Sequence, residues 1–355
     1  MEKFCDSLTR YSRRETVAVQ IGNTAIGGDN PIRIQSMTNT DTNDTAASVA
    51  QTERIAAAGG EIVRLTAQGR REAENLGAIR AELDRRGCRV PLVADIHFLP
   101  SAALVAAEHV EKIRINPGNF NDKGGQFDEL LAICKRRGAA LRIGVNHGSL
   151  APAVMERYGD TPEGMVASAM EFLRRCRAAA FDRVVLSVKS SNVRVMVQAY
   201  RMLAAAMRAE EMRYPLHLGV TEAGNDREGR IKSAAGIGAL LADGLGDTIR
   251  GSRDSGGADA GGLFRRPRKP CADPCRRRIP VFALQLPQTP VRKNRRYRRR
   301  RTGCDLERNP GRRPRNAVRS RYPDGRPDSP GTHRAAENKQ PQRHRRAAGR
   351  AADDG

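Results

Sequence analysis

Apolar and polar positions alternate along the first part of the chain before they lengthen into helical spacing. Residues 15–28, ETVAVQIGNTAIGG, alternate about an Asn-Thr turn and predict a hairpin. Eight strand-like runs follow: IRIQSM (32–37), IVRLTA (62–67), PLVADI (91–96), KIRINP (112–117), LRIGVN (141–146), RVVLSVK (183–189), LHLGVTE (216–222) and DTIRGS (247–252). Between them lie segments with 3.6-residue apolar spacing, such as 46–58, 162–180 and 192–208. Eight β-then-α units predict an α/β fold, a TIM-type (β/α)8 barrel over 31–252, with the hairpin of segment 1–30 capping its bottom. A doubly wound sheet shares this periodicity, but it gathers ligands mainly at one switch point. Here nearly every strand ends in a residue capable of chemistry, which favours the barrel.

The same alternation aims charge inward. Val63 and Leu65, Ile113 and Ile115, and Leu141 and Ile143 face one layer, so Arg64, Arg114 and Arg142 face the other. Thr66, Asn116 and Asn146 share those inward faces, Ser187 and Lys189 share one face of VVLSVKS, and Arg250 pairs with Ser252. Taken singly, each arginine could serve a structural ion pair. As a set, four arginines and a lysine from five strands supply forked donors and a point charge for a polyanion such as a diphosphate.

Three further groups belong to this mouth. Asp95 beside several arginines stays ionised and reads as their orienting partner rather than a proton donor. Glu222, at the end of the seventh strand run, is the better acid, although a loop-bracing role fits it too. His97 shares a face with Asp95 and, on its own, reads as a satisfied core histidine. The turns Asn116-Pro117-Gly118-Asn119 and Asn146-His147-Gly148-Ser149 could offer backbone amides to phosphate, or could simply turn the chain.

Composition divides the chain. The net charge of +23 over 355 residues suggests a nucleic-acid binder, but 29 Lys and Arg against 10 Asp and Glu lie in 251–355, leaving 34 against 30 before it. That later part holds 12 of the 19 prolines and few large aliphatics outside 279–291. A disordered Arg/Pro-rich tail over 253–355 is expected, able to bind nucleic acid without sequence preference through runs such as Arg295 to Arg301. No run approaches the length of a membrane helix, no signal peptide opens the chain, and seven scattered cysteines fit a reducing compartment; no membrane association and a cytoplasmic location are expected.

Together, QSMTNTDT (35–42), PLVADIHF (91–98), IRINPGNF (113–120), LRIGVNHGSL (141–150), SVKSS (187–191), LHLGVTEAG (216–224) and LLADGLGDTIR (240–250) resemble the 4-hydroxy-3-methylbut-2-enyl diphosphate synthase family. NHGSL and VQAYR (197–201) look most like its long, three-domain form, and the resemblance covers roughly residues 8–250. It implies reductive ring opening and dehydroxylation of 2-C-methyl-D-erythritol 2,4-cyclodiphosphate, a step of non-mevalonate isoprenoid synthesis. It further implies that Arg64, Arg114, Arg142, Lys189, Arg250 and Ser252 bind phosphate, that Asn146 bonds beside them, and that Glu222 supports protonation of the leaving hydroxyl. Asp95, His97 and Asn116 would be supporting residues. Ferredoxin or flavodoxin would donate electrons to a 4Fe-4S cluster.

That cluster normally sits in a carboxy-terminal domain on a Cys-x-x-Cys pair, a later Cys and the Glu of an Asn-Gly-Pro-Gly-Glu motif. Here Cys271 and Cys275 have three residues between them, Cys304 stands alone and the glutamate motif is missing, so no metal ligand is expected in this chain. Where the family continues with Val-Ser-Leu, this chain reads Gly251-Ser252-Arg253, as a shifted reading frame would give. Losing the last barrel helix would leave an apolar seam between helices one and seven. A truncated or frameshifted, inactive chain that still binds the cyclic diphosphate is expected. The competing expectation is a non-redox barrel for a phosphorylated ligand with an RNA-binding tail, and another pterin- or phosphate-binding barrel enzyme is a third.

Overall fold

Strand β3 (Arg33–Met37) opens a parallel ring of eight, and a computed structural model describes it through residues 3–122, 124–224 and 226–251. The ring continues through β4 (Ile62–Ala67), β5 (Leu92–Ile96), β6 (Lys112–Ile115), β7 (Ala140–Asn146), β8 (Val184–Lys189), β9 (His217–Leu218) and β10 (Thr248–Ile249). Neighbours in sequence are neighbours in the sheet, β10 lies between β9 and β3, and all of these pairings are parallel. A Leu186–Leu216 bridge and a Leu186 N–H to Pro215 carbonyl bond of 3.0 Å bring β8 to the segment entering β9. The ring is thereby a barrel rather than a doubly wound sheet.

Helices α1 (Thr45–Ala57), α2 (Arg70–Arg85), α3 (Pro100–Ala106), α4 (Gln126–Arg137), α5 (Pro152–Tyr158), α6 (Pro162–Ala178), α7 (Val193–Ala209) and α8 (Asp226–Ala242) alternate with the strands. Their starts follow local chemistry: Asp44 accepts from the Ala47 amide, Thr161 from Gly164, and Asn192 from Arg194 and Val195. Ala73, Leu76, Ile79 and Leu83 bury one face of α2, meeting the outward Val63, Leu65, Ile113 and Leu141 in one apolar layer. The predicted helices at 46–58, 162–180 and 192–208 form within two residues of those limits; α5 is an extra turn before α6.

The hairpin forms as β1 (Val19–Ile21) and β2 (Thr24–Ile26). Its turn is Gly22-Asn23 rather than Asn-Thr, because Ile21 pairs with Thr24 and Gly22 takes φ +54 at the first central position. Val19, Ile21 and Ile26 pack with inward Ile62, Val93, Ala140 and Val185, so the hairpin does plug the strands' amino-terminal end.

The last two strands are shorter than their runs of 216–222 and 247–252. Pro215 lacks a donor and the Asp247 carboxylate takes the Leu216 amide at 2.8 Å, so the β9 ladder begins only at His217. Tyr200 on α7 instead pins β9 by donating to the His217 carbonyl at 2.5 Å. Ser252 and the whole 253–355 segment with its cysteines lie outside the described residues.

Candidate anion site at the barrel mouth

The inward register converts alternation into a charged interior. Arg64, Arg114, Arg142 and Lys189 are each less than a tenth exposed, and Arg250 is half-buried. The eight strands contain one acidic residue, Asp95. Cations therefore outnumber carboxylate on this inner face, and water cannot screen them there.

A string of contacts runs around the mouth. Arg250 Nη1 lies 2.9 Å from Met37 Sδ, and Arg64 Nη2 lies 2.8 Å from the same sulfur. Arg64 Nη1 reaches Asp95 Oδ2 at 2.9 Å, while Arg114 Nη1 reaches Asp95 Oδ1 at 3.0 Å. Arg114 Nη2 then donates to the Gly144 carbonyl at 2.9 Å, and with its amide turned to satisfy both ends Asn146 accepts from the same nitrogen at 3.1 Å. The links come from β3, β4, β5 and β6, from Gly144 and Asn146 of β7, and from Arg250 just after β10.

Burial raises the Asp95 carboxyl's pKa, but Arg64, Arg114, Arg142 and His97 outweigh it and hold the group well below the usual carboxylate range. Asp95 is thus an ionised orienting partner, as its setting among arginines predicts. His97 is not a core histidine: its side chain is 35% exposed at the mouth, 3.4 Å from Asp95. Its own burial and Arg114 and Arg64 lower its pKa, against the pull of Asp95.

Arg142 and Lys189 stand apart from the string. Arg142 Nε and Nη1 have no acceptor among the described residues. Burial, then Arg114 and Arg64, make the Arg142 charge costly; burial, then Arg250 and Arg142, push the Lys189 ammonium well below its ordinary pKa. Two inward glycines make room for this crowd. A Cβ on Gly144 would lie 2.6 Å from Arg114 Nε, and one on Gly219 would lie 3.1 Å from Lys189 Nζ.

Sequence reasoning missed a polar layer beneath. Lys112 is fully buried and donates to Gln35 Oε1 across the barrel at 3.1 Å. His217 is also fully buried, with neither ring nitrogen bonded among the described residues. Burial, then Lys189, Arg142 and Lys112, push its pKa far down, so it is neutral. Both positions were legible: Lys112 is two before Arg114 in KIRI, and His217 two before Gly219 in LHLG.

The backbone turns do not offer an amide cradle. Gly118 N–H donates to Asn116 Oδ1 and Gly148 N–H to Asp160 Oδ1, while Asn119, His147 and Ser149 amides bond carbonyls. Gly118 is there for closeness, since a Cβ would meet the Ser149 carbonyl oxygen at 1.9 Å. Asn116 accordingly braces its turn. Glu222 is exposed in the loop after β9 and holds φ +49; the other two non-glycine residues at positive φ, Ala180 and Glu211, follow helix ends.

A family model for the GcpE TIM-barrel domain matches residues 16–256. The chain belongs to this family. Among curated relatives, a GcpE-family match in Parabacteroides distasonis named 4-hydroxy-3-methylbut-2-en-1-yl diphosphate synthase (flavodoxin) is 58% identical over 68% of this chain and 43% of its own length. Relatives of the same name are 53% identical in Leptospira interrogans, over 68% of this chain and 39% of that one, and 52% identical in Akkermansia muciniphila, over 70% and 46%. This GcpE-family chain thus spans less than half the length of the curated relatives it matches. A solved dihydropteroate synthase from Xanthomonas albilineans is 16% identical at a TM-score of 0.48, covering 70% of this chain and 95% of its own.

The described part of the GcpE-family barrel does not fit an iron–sulfur cluster. Cys134 on α4 and Cys176 on α6 are buried in the helix layer, where burial pushes both thiols up to about 12, away from the thiolate that binds iron. No group of three His, Cys, Asp or Glu able to hold a metal ion occurs among the described residues. Nor is any described helix long and apolar enough to cross a membrane.

Proposed function

We propose that this barrel binds 2-C-methyl-D-erythritol 2,4-cyclodiphosphate and is the substrate-holding part of a 4-hydroxy-3-methylbut-2-enyl diphosphate synthase. The observation that carries this reading is the excess of inward cations over Asp95, with two buried Arg142 nitrogens lacking acceptors among the described residues. A diphosphate supplies the missing negative charge and several acceptor oxygens at once. Arg64, Arg114, Arg142, Lys189 and Arg250 hold phosphate oxygens, Ser252 adds a donor, and Asn146, Asp95, His97 and Asn116 orient them. The exposed Glu222, held at φ +49, delivers a proton toward the leaving hydroxyl.

The division proposed is a plug segment 1–30, a cyclodiphosphate-binding barrel 31–252 and a basic tail 253–355. In the whole family enzyme a 4Fe-4S cluster supplies two electrons, and the relatives' name points to flavodoxin as their source. The proposal for this chain is binding without turnover, with the tail adding salt-sensitive affinity for nucleic acid.

Calorimetric titration of the full chain with the cyclodiphosphate at physiological salt tests the reading. Arg142→Met and Lys189→Met should each weaken binding by at least about tenfold, while leaving the tail's ion binding intact. Equal affinity in wild type and both variants would assign all binding to the tail and end the proposal.

A further inference from the structure

We propose that Met37 is a positioning residue for the anion site, a neutral acceptor that holds Arg64 and Arg250 apart and aimed at the ligand. The inference rests on the diphosphate reading above. Met37 ends β3, the first strand of the ring, and pairs in register with Arg64 on β4. Its sulfur receives Arg64 Nη2 at 2.8 Å and Arg250 Nη1 at 2.9 Å. The side chain is buried, with the residue 8% exposed.

The chemistry of the acceptor matters as much as its place. Arg64 already spends one nitrogen on the Asp95 carboxylate, shared with Arg114. A second carboxylate at position 37 would neutralise the two guanidiniums and compete with phosphate. An alkyl side chain would fill the space and accept nothing. A thioether lies between these: polarisable, uncharged and a weak acceptor, it orients two cations and yields them readily to phosphate oxygens.

β10 ends at Ile249, so Arg250 lies beyond the paired strand, joined to β9 by one backbone bond to Leu218 at 3.0 Å. Met37 is the link that carries the string of contacts across the join between the first and last strands.

The test is a graded series in the full chain: Met37→Leu, Met37→Gln and Met37→Glu, titrated with the cyclodiphosphate. Only the binding component abolished by Arg142→Met is read, which removes the contribution of the basic tail. Leucine preserves volume and removes the acceptor, and should weaken binding about tenfold. Glutamine restores a neutral acceptor and should bind within about threefold of wild type, and glutamate should bind more weakly than leucine. A packing role gives another order, with leucine best.

Leucine binding like wild type, or glutamine binding no better than leucine, would overturn the inference while leaving the diphosphate reading intact. If wild type shows no such binding component, the diphosphate reading fails, and crystal structures of wild type and Met37→Leu decide the positioning role. Displaced Arg64 and Arg250 guanidiniums in the leucine variant would uphold it. Unmoved guanidiniums would refute it.

Discussion

Arg114 Nη1 stands 3.0 Å from Asp95 Oδ1, and that contact ties the β6 cation to the one acidic residue that the described barrel strands contain. Asp95→Asn should therefore remove the counter-charge shared by two buried guanidiniums and cost about 3–5 kcal/mol in urea unfolding at pH 7. Because the Asp95 pKa is depressed in the fold, its contribution is fully present above the unfolded carboxylate value of about 4 and is lost as pH falls below it. The gap between wild type and variant should be constant from pH 5 to 8 and close on further acidification. A gap already absent at pH 7 would mean that the carboxylate does not hold the arginines.

His217 imposes a second pH dependence. Its folded pKa lies far below the ordinary value, so the unfolded chain binds more protons once pH drops under about 6.5. Stability should fall between pH 7 and pH 5, and His217→Asn should flatten that slope. An unchanged slope in the variant would place the titrating group elsewhere.

Ligand binding should draw protons from solution. Burial and neighbouring cations depress the pKa of Lys189, Lys112 and His217, and an arriving diphosphate reverses part of that repulsion. Calorimetry with the cyclodiphosphate in Tris and in HEPES at one pH should give different apparent enthalpies, with the sign of proton uptake. Equal enthalpies would show that binding changes the protonation of none of these groups.

Gly144 makes a prediction about space. A Cβ there would meet Arg114 Nε at 2.6 Å and Ser187 Oγ at 3.2 Å, so Gly144→Ala must move the arginine that bonds the same residue's carbonyl. Affinity for the cyclodiphosphate should fall roughly tenfold, with an unfolding cost of about 1–3 kcal/mol. Wild-type affinity would show that Arg114 finds another productive position.

The plug predicts the opposite pattern. Ile21 is fully buried against Ile62, Val93, Ala140 and Val185, and Ile21→Ala should cost about 2–5 kcal/mol of stability. Anion affinity of the folded fraction should not change, since the hairpin sits at the other end of the strands. A variant that weakens binding as much as stability would couple the plug to the mouth.

Much of this architecture was legible because strand alternation is strict in a parallel barrel. IVRLTA became β4 without change, and the inward placement of Arg64, Arg114, Arg142 and Lys189 followed from counting by twos. The same counting applied to KIRI and LHLG reaches Lys112 and His217, which escaped because a single polar residue near a strand's start resembles a solvated end. The thioether of Met37 carries no charge pattern to notice. The loop amides stayed open between two readings for a different reason: whether an N–H is free depends on Asn116 and Asp160 side chains that only the folded turn brings near. The start of β9 depended on Asp247, thirty-one residues from the amide it captures.

Asp247 also accepts from Arg13 Nη2 at 2.8 Å and Thr16 Oγ1 at 3.0 Å, so one late carboxylate fastens the chain's early residues to its last strand. During synthesis from the amino terminus, that fastening waits until the end of the barrel has left the ribosome. Until then β3 presents an open edge and the hairpin has only part of its floor, surfaces that a nascent chain must keep from its neighbours. The order of translation thus sets the barrel's period of greatest exposure, which lasts until its closing residue arrives.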